Sequence, residues 1–371
     1  MQQWSREKIV AFRQALLDWY DREKRDLPWR EDKEPYHIWV SEIMLQQTQV
    51  NTVIPYYQRF MAAFPTVADL AAAPEAKLLQ LWAGLGYYSR ARNMQKAAQQ
   101  IMTDYQGKWP QTAKELTKLA GIGPYTAGAI ASIAFNQPEP AIDGNAFRVF
   151  SRLFEIEADI TKPQSRKIFY DVIKEVISPE RPGDFNQAIM DLGSSYMTAK
   201  NPDTANSPVR DFNQAYLDGK EMAYPVRTKK KPPVPIDYFA LVIQTPAGYL
   251  MEQRPAKGML ADLWTVPLLK WTDLADQETP PLLSQLVTLA TKRFTAETQI
   301  PLTLAPLGGK PVTHTFTHQK WVLTLLYAEL PSIPDLSYFR GNIVKSTDFT
   351  HLAQPKVQLK LWRRYQQLRE Q

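Results

Sequence analysis

Cysteine is absent from the 371 residues. Disulfides, thiol catalysis, Cys-x-x-Cys redox chemistry and thiolate-held zinc or iron–sulfur clusters are thereby excluded. Histidine is scarce as well: His37, His314, His318 and His351 are scattered save for one i,i+4 pair, too few for a dense imidazole metal site. Apolar runs of about 18 residues are missing, and the opening MQQWSREKIVAFRQALLDWY has no apolar signal-peptide core. The expectation is a cytoplasmic protein without membrane contact. Neither charge dominates strongly. The 44 Lys and Arg against 38 Asp and Glu leave +6, which suits a polyanionic partner without identifying one. What is present is ordinary globular material, 44% hydrophobic and 22% charged. At roughly 150 residues per domain, the length fits two or three domains.

Residues 4 to about 220 read as successive amphipathic helices, in IVAFRQALLDWY, HIWVSEIMLQQTQVNTVIPYYQRFMAAF, AKLLQLWAGLGYYSRARNMQKAAQQIM and AKELTKLA. Breaks fall at Pro28, Pro65, Pro74, Pro110 and Pro138. A basic, proline-rich stretch, RTKKKPPVP, then reads as a semi-rigid linker. Beyond it the texture turns to short β-branched and aromatic runs, YFALVIQ, GYLMEQR and KWVLTLLYAEL, with helices near Pro281 to Ala296 and Lys356 to Leu368. The expected organisation is an all-α domain over 1–225, a linker over 226–235 and an α+β domain over 236–371.

Three places carry chemistry. In LAGIGPYTA, Gly121 and Gly123 form a tight turn opening onto a helix start, where unpaired backbone N–H groups can bind a phosphate oxygen; the same residues also make a plain helix–helix turn. About 20 residues on, Asp143 in AIDGNAF is good turn and N-cap chemistry. Glu42 sits amid Trp39, Val40, Ile43, Met44 and Leu45, where desolvation raises a carboxyl pKa and keeps a proton available. An acid and a carboxylate in different environments are what N-glycosidic cleavage needs: one protonates the leaving base, the other stabilises or captures the oxocarbenium-like sugar.

The segments DLPWR (26–30), PYHIWVSEIMLQQTQV (35–50), LWAGLGYYSRARN (81–93), GIGPYTAGAIASIAF (121–135), AIDGNAFRVFSRLF (141–154) and FNQAIMDLG (185–193) closely resemble the MutY family of adenine DNA glycosylases, in order through the whole first domain. These belong to the helix-hairpin-helix superfamily that also contains endonuclease III. The resemblance implies Glu42 as general acid and Asp143 as the carboxylate that stabilises or traps C1′, with Asn145 orienting Asp143. Tyr125 stands where bifunctional relatives carry a Schiff-base lysine, which implies a monofunctional enzyme using water. Tyr87 matches a wedge entering the base stack and Gln47 a residue near the widowed position, while Arg25, Leu27, Trp29 and Arg30 match the pocket and its mouth.

The family usually carries four cluster-binding cysteines after the segment ending in Leu-Gly. The corresponding positions are read here as Met197, Thr204, Ser207 and Phe212, none a thiolate, so no metal and no iron–sulfur cluster is expected. Packing of Tyr196, Met197, Val209, Phe212 and Tyr216 is expected to replace the metal staple, leaving Lys200 and Arg210 to face DNA phosphate.

Residues 236–368 resemble the MutT-like domain of the same family, most of all in GMLADLWTVP and HTFTHQKW. No REUxEExGU run stands between Gly258 and Pro301, so a lesion-recognition module is expected and not a nucleotide hydrolase. The family's Phe-Ser-His turn stands as Phe316, Thr317 and His318, the threonine keeping a hydroxyl for 8-oxoguanine. Asp262 occupies a position where the family often has Gly or Asn. The implied partner is double-stranded DNA with adenine opposite 8-oxoguanine or guanine, bound by a monomer. The competing readings are an endonuclease III-like glycosylase and lyase, a non-catalytic mismatch binder, and a Nudix hydrolase.

Overall fold

The computed structural model describes residues 4–229, 231–274 and 282–370. Lys230 of the expected linker and Pro281, at the start of an expected helix, lie outside the described residues.

The helices in chain order are α1 (Arg6–Glu23), α2 (Pro35–Leu45), α3 (Val50–Ala63), α4 (Val67–Ala72), α5 (Glu75–Trp82), α6 (Ser89–Asp104), α7 (Ala113–Leu116), α8 (Pro124–Phe135), α9 (Gly144–Phe154), α10 (Ser165–Val176), α11 (Pro182–Ser194) and α12 (Gln214–Leu217). The strands are β1 (Val234–Thr245), β2 (Gly248–Gln253), β3 (Trp264–Thr265), β4 (Leu268–Lys270), β5 (Ala305–Pro306), β6 (Val312–Thr315), β7 (Gln319–Glu329) and β8 (Gly341–Val344). Two further helices, α13 (Leu283–Thr298) and α14 (Lys356–Arg369), interleave with them. Contacts divide the chain into one compact unit of residues 1–73 and 89–229, and a second of residues 74–88 and 230–371.

In the first unit, α2 and α8 are apolar nearly all round and mostly buried, whereas α9 and α10 are amphipathic and turn one face inward. Phe12, Leu16, Phe150, Phe169 and Phe185 are fully buried members of its core. Two segments with unbroken helical periodicity are in fact split. The first breaks at Gln46–Gln49, with Gln47 at φ 61°. The second breaks between Trp82 and Ser89, where Gly84, Gly86 and Tyr87 have positive φ. Apolar spacing does not register a turn in which no apolar residue leaves its face.

In the second unit, β1 is the centre of a mixed sheet ordered β3-β2-β1-β7-β5. It runs parallel to β7 from Val234↔Gln319 to Gln244↔Glu329. Period-two alternation sorts its side chains: Phe239, Leu241 and Ile243 pack with Leu286, Ala290 and Phe294 of α13, while Ala240 and Val242 share a core with Val357, Leu361 and Tyr365 of α14.

Candidate active site

The first unit holds a cavity of about 440 Å³ whose lining includes Arg25, Leu27, Trp29, Arg30, Glu42, Gln47, Tyr125, Asp143 and Asn145. Nine residues that the sequence marks thus come together from four segments of the chain.

Glu42 is 5% exposed because α2 is buried on all sides. The helix ends at Leu45, at the cavity wall, where Arg90 Nη1 donates to the carbonyls of Ile43 at 2.6 Å and Gln46 at 2.7 Å, satisfying end groups that a continuing helix would have bonded. The left-handed Gln47 then turns the chain so that Gln46, Gln47 and Thr48 all line the cavity. Across it, Gly123 is the N-cap of α8 and Pro124 its first residue. Gly121 has φ +73° and a side chain there would strike Asn93, whereas a Cβ on Gly123 would have open space, so close backbone approach from outside is possible at Gly123. Tyr125, in the first turn of α8, donates its phenol hydrogen to Glu42 Oε2.

Asp143 is the N-cap of α9. It accepts from the Ala146 N–H at 2.7 Å and from Asn145 Nδ2 at 2.6 Å. The loop leading to it is held by Asn186, which accepts from the Ala141 N–H at 3.2 Å and donates to Ser132 Oγ at 2.8 Å and the Glu139 carbonyl at 2.9 Å. Arg148, one turn into α9, donates to Asn145 Oδ1, to the Gly193 carbonyl at 2.8 Å and to the Met197 carbonyl at 3.2 Å. α11 can lie this close only because residue 193 is glycine: a Cβ there would sit 2.5 Å from Asn145 Cβ and 2.9 Å from its Cα. Gly193→Ala is therefore expected to destabilise the protein by about 1–3 kcal/mol in urea unfolding and to slow the chemistry out of proportion, since relief requires moving Asn145.

The electrostatics separate the carboxyls. Burial raises Glu42 to about 7, with Asp143 adding to the rise and the Tyr125 hydrogen bond and Arg30 opposing it. Burial also raises Asp143, but the Ala146 N–H, Asn145 and Arg148 draw it back. The Tyr125 phenol is held well above its ordinary value by burial and by both carboxylates, so it remains a donor.

Two family models match the chain, the HhH-GPD superfamily of base excision DNA repair proteins over residues 40–175 and the NUDIX domain over residues 238–364. The adenine DNA glycosylase of Homo sapiens is 37% identical over 368 residues, covering 84% of this chain and 66% of the human protein. That of Rattus norvegicus is 37% identical over 365 residues, covering 84% of this chain and 69% of the rat protein. The chain belongs to the adenine DNA glycosylase family. It spans about two thirds of the length of these relatives. A thermostable thymine-DNA glycosylase structure superposes with a TM-score of 0.53 at 24% identity, over 57% of this chain and 98% of that one, and shares the helical fold.

In adenine DNA glycosylases the segment after α11 is where this chain departs from the usual cysteines. Counting C-x6-C-x2-C-x5-C from Met197 reaches Thr204, Ser207 and Asn213, so the fourth position is Asn213 and not Phe212. Met197 is fully buried in the core, the Thr204 hydroxyl donates to Glu221 Oε1 at 3.1 Å, Ser207 Oγ accepts from the Val209 N–H at 3.4 Å, and Asn213 is the N-cap of α12. Such donors do not fit a thiolate-held cluster. Phe212 meets Phe12 edge-on at 5.6 Å, and Tyr196 and Val209 belong to the same packed region. Tyr216 is not part of that core; Ala215 is the buried residue of α12. Lys200 is exposed, and Arg210 is exposed with its Nε on Asp211 at 3.1 Å.

In the second unit, residues 316–318 form the turn of the β6–β7 hairpin, closed by the Phe316 N–H on the Gln319 carbonyl at 2.7 Å. Phe316 packs edge-on against Trp321 at 4.8 Å and His314 at 4.6 Å, leaving Thr317 and His318 exposed. The Tyr87 and Thr317 hydroxyls are hydrogen-bonded at 3.0 Å, joining two residues that the sequence singles out 230 positions apart. Asp262 has φ 57°, a conformation that Gly and Asn adopt most easily, which accounts for the residues preferred there. Among the described residues no cluster of His, Asp and Glu could hold a metal ion. None of their helices is long and apolar enough to cross a membrane.

Sequence reasoning missed Gln187, Met190 and Ser194 in the cavity wall, and Asp191 behind it. The four recur at helical spacing on α11.

Proposed function

We propose that the protein hydrolyses the N-glycosidic bond of adenine opposite 8-oxoguanine or guanine in duplex DNA. The carrying observation is the pair of buried carboxyls in one cavity, Glu42 raised to about 7 under a phenol donor and Asp143 drawn back by hydrogen bonds. The cavity has room for a flipped base. With Oε2 taken by Tyr125, Glu42 gives the proton on its other oxygen to a ring nitrogen of adenine as the bond from the base to C1′ breaks. Asp143 stabilises or captures the cationic sugar, held in aim by Asn145. Water then adds to C1′, its proton returns to Glu42, and adenine and an abasic site remain. Tyr125 forms no imine, so strand cleavage by a lyase step is not part of the reaction.

Gly121, Gly123, Gln47, Lys200 and Arg210 are the proposed DNA contacts in the first unit. In the second, Tyr87 is the wedge and Phe316, Thr317 and His318 read the lesion. The hydrogen bond between the Tyr87 and Thr317 hydroxyls supports that reading.

The test is single-turnover adenine release from a duplex with adenine opposite 8-oxoguanine, at one stated salt concentration. Release is expected, with Thr317→Ala losing mainly the preference for 8-oxoguanine over guanine. Tight binding without release would make the protein a mismatch binder, and monophosphate released from 8-oxo-dGTP would make it a hydrolase of nucleotides.

No cluster takes part in this reading, which the engaged hydroxyls and buried Met197 support. Protein from iron-replete cells is expected to release neither iron nor acid-labile sulfide; about four irons per chain would refute it.

A further inference from the structure

Two arginines of the cavity wall converge on one buried carboxylate. Arg30 grips Asp191 with both ends of its guanidinium, Nη1 to Oδ2 at 2.8 Å and Nη2 to Oδ1 at 3.0 Å. Arg25 donates to the same Oδ1 through Nε at 2.8 Å. Asp191 is 4% exposed and does not itself line the cavity. Arg30 also lies over the Tyr20 ring, 5.8 Å from its centroid, so its plane is fixed from two sides.

We infer that Asp191 is a positioning residue, which clamps Arg25 and Arg30 into the wall of the base pocket and balances their charge against Glu42. The inference rests on the proposed glycosylase reaction and names a residue through which that site is controlled.

The geometry sets the sign. A bidentate guanidinium–carboxylate pair fixes orientation as well as charge. Burial alone would raise Asp191, yet the two guanidiniums prevail and hold it below the ordinary aspartate range, so it is ionised throughout the neutral region. Two cations and one anion leave a single net positive charge beside Glu42. The groups facing Glu42 are Tyr125 from α8, Asp143 at the start of α9 and Arg30 from the segment before α2. Of these only Arg30 is cationic, and it favours ionisation of the acid. Replacing Asp191 by asparagine frees the whole of that charge. Glu42 then loses its proton at a lower pH, and the form able to protonate adenine becomes scarce sooner as pH rises.

Single-turnover rates from pH 5 to 9 test this with saturating enzyme. Asp191→Asn is expected to lose rate at every pH, because the clamp is gone, and also to move the alkaline limb to lower pH, so that its rate relative to the parent falls about a further sevenfold between pH 5.5 and pH 8, as a limb displaced by one unit gives. Asp191→Asn combined with Arg25→Gln restores the charge count and should bring the limb back. Asp191→Glu keeps the charge but not the fit, so the rate should fall at every pH with the limb in place; this variant serves if the asparagine protein does not fold. A folded Asp191→Asn protein with the parental limb, or a displaced limb in Asp191→Glu, overturns the inference. Failure of the parent to release adenine would instead sink the glycosylase reading. In that case the clamp is judged by melting temperature against pH, where the part abolished by Glu42→Gln should shift to lower pH in Asp191→Asn and an unshifted profile rejects it.

Discussion

Glu42→Gln is expected to slow adenine release by roughly 10²–10⁴-fold, the usual worth of a positioned general acid, and at the same time to stabilise the protein at alkaline pH. The two effects have one cause. Glu42 is buried with its pKa raised from 4.5 to about 7, so keeping it ionised in the folded state costs about 3 kcal/mol at 1.36 kcal/mol per unit. The sign follows from linkage. A carboxyl raised on folding imposes no penalty below the unfolded value of 4.5; the penalty grows as pH climbs towards 7 and is fully present above it. Glutamine carries no charge and still offers an oxygen to the Tyr125 hydroxyl. Melting temperatures of parent and variant should therefore nearly coincide at pH 4.5 and differ by several degrees at pH 8. Equal melting temperatures at pH 8 would mean that Glu42 is not held in the environment described.

Asp143→Asn is the second large effect, and its value lies in what stays unchanged. Asparagine caps helices as well as aspartate does, so the Ala146 N–H keeps its acceptor and α9 its start. Stability at neutral pH should change by less than about 1 kcal/mol. Catalysis should drop by about 10² or more, because an amide can neither neutralise nor trap a cationic sugar. Binding of the uncleaved duplex at matched salt should be retained. An Asp143→Asn protein that released adenine at the parental rate would show that the sugar cation is stabilised by another group.

What the sequence disclosed and what it hid follow from the range of the interactions concerned. Glu42 and Asp143 were legible because each lies in a local pattern, a carboxyl in an apolar helix and an N-cap, whereas Tyr125 and Asn145 were legible only through the family resemblance. The alternation in β1 was legible as a local pattern too. The turn at Gln46–Gln49 was not, since Gln-Gln-Thr-Gln contains neither glycine nor proline and owes its shape to Arg90, some 44 positions away. Asp191 was read only as part of a family segment. Its burial becomes intelligible once Arg25 and Arg30, more than 160 positions earlier, are seen to need a counter-charge. The fourth position of the cysteine-free loop falls on Asn213, one residue beyond Phe212, by the spacing alone, with no contribution from the structure.

Residues 74–88 separate from their sequence neighbours and pack with residues 230–371. The Tyr88 hydroxyl donates to the Gln354 carbonyl at 2.8 Å, alongside the bond between Tyr87 and Thr317. The C-terminal unit is thus tied into the chain at three crossings and not hung from a single tether. A truncation or domain exchange cut at the proline-rich linker divides one folding unit and strands α5 with its fully buried Leu78 and Trp82. Recombination at that linker is accordingly disfavoured, and an exchange that preserves both units must carry the 74–88 excursion along with the C-terminal half. Tyr87 and the turn at residues 316–318 are in this sense inherited together.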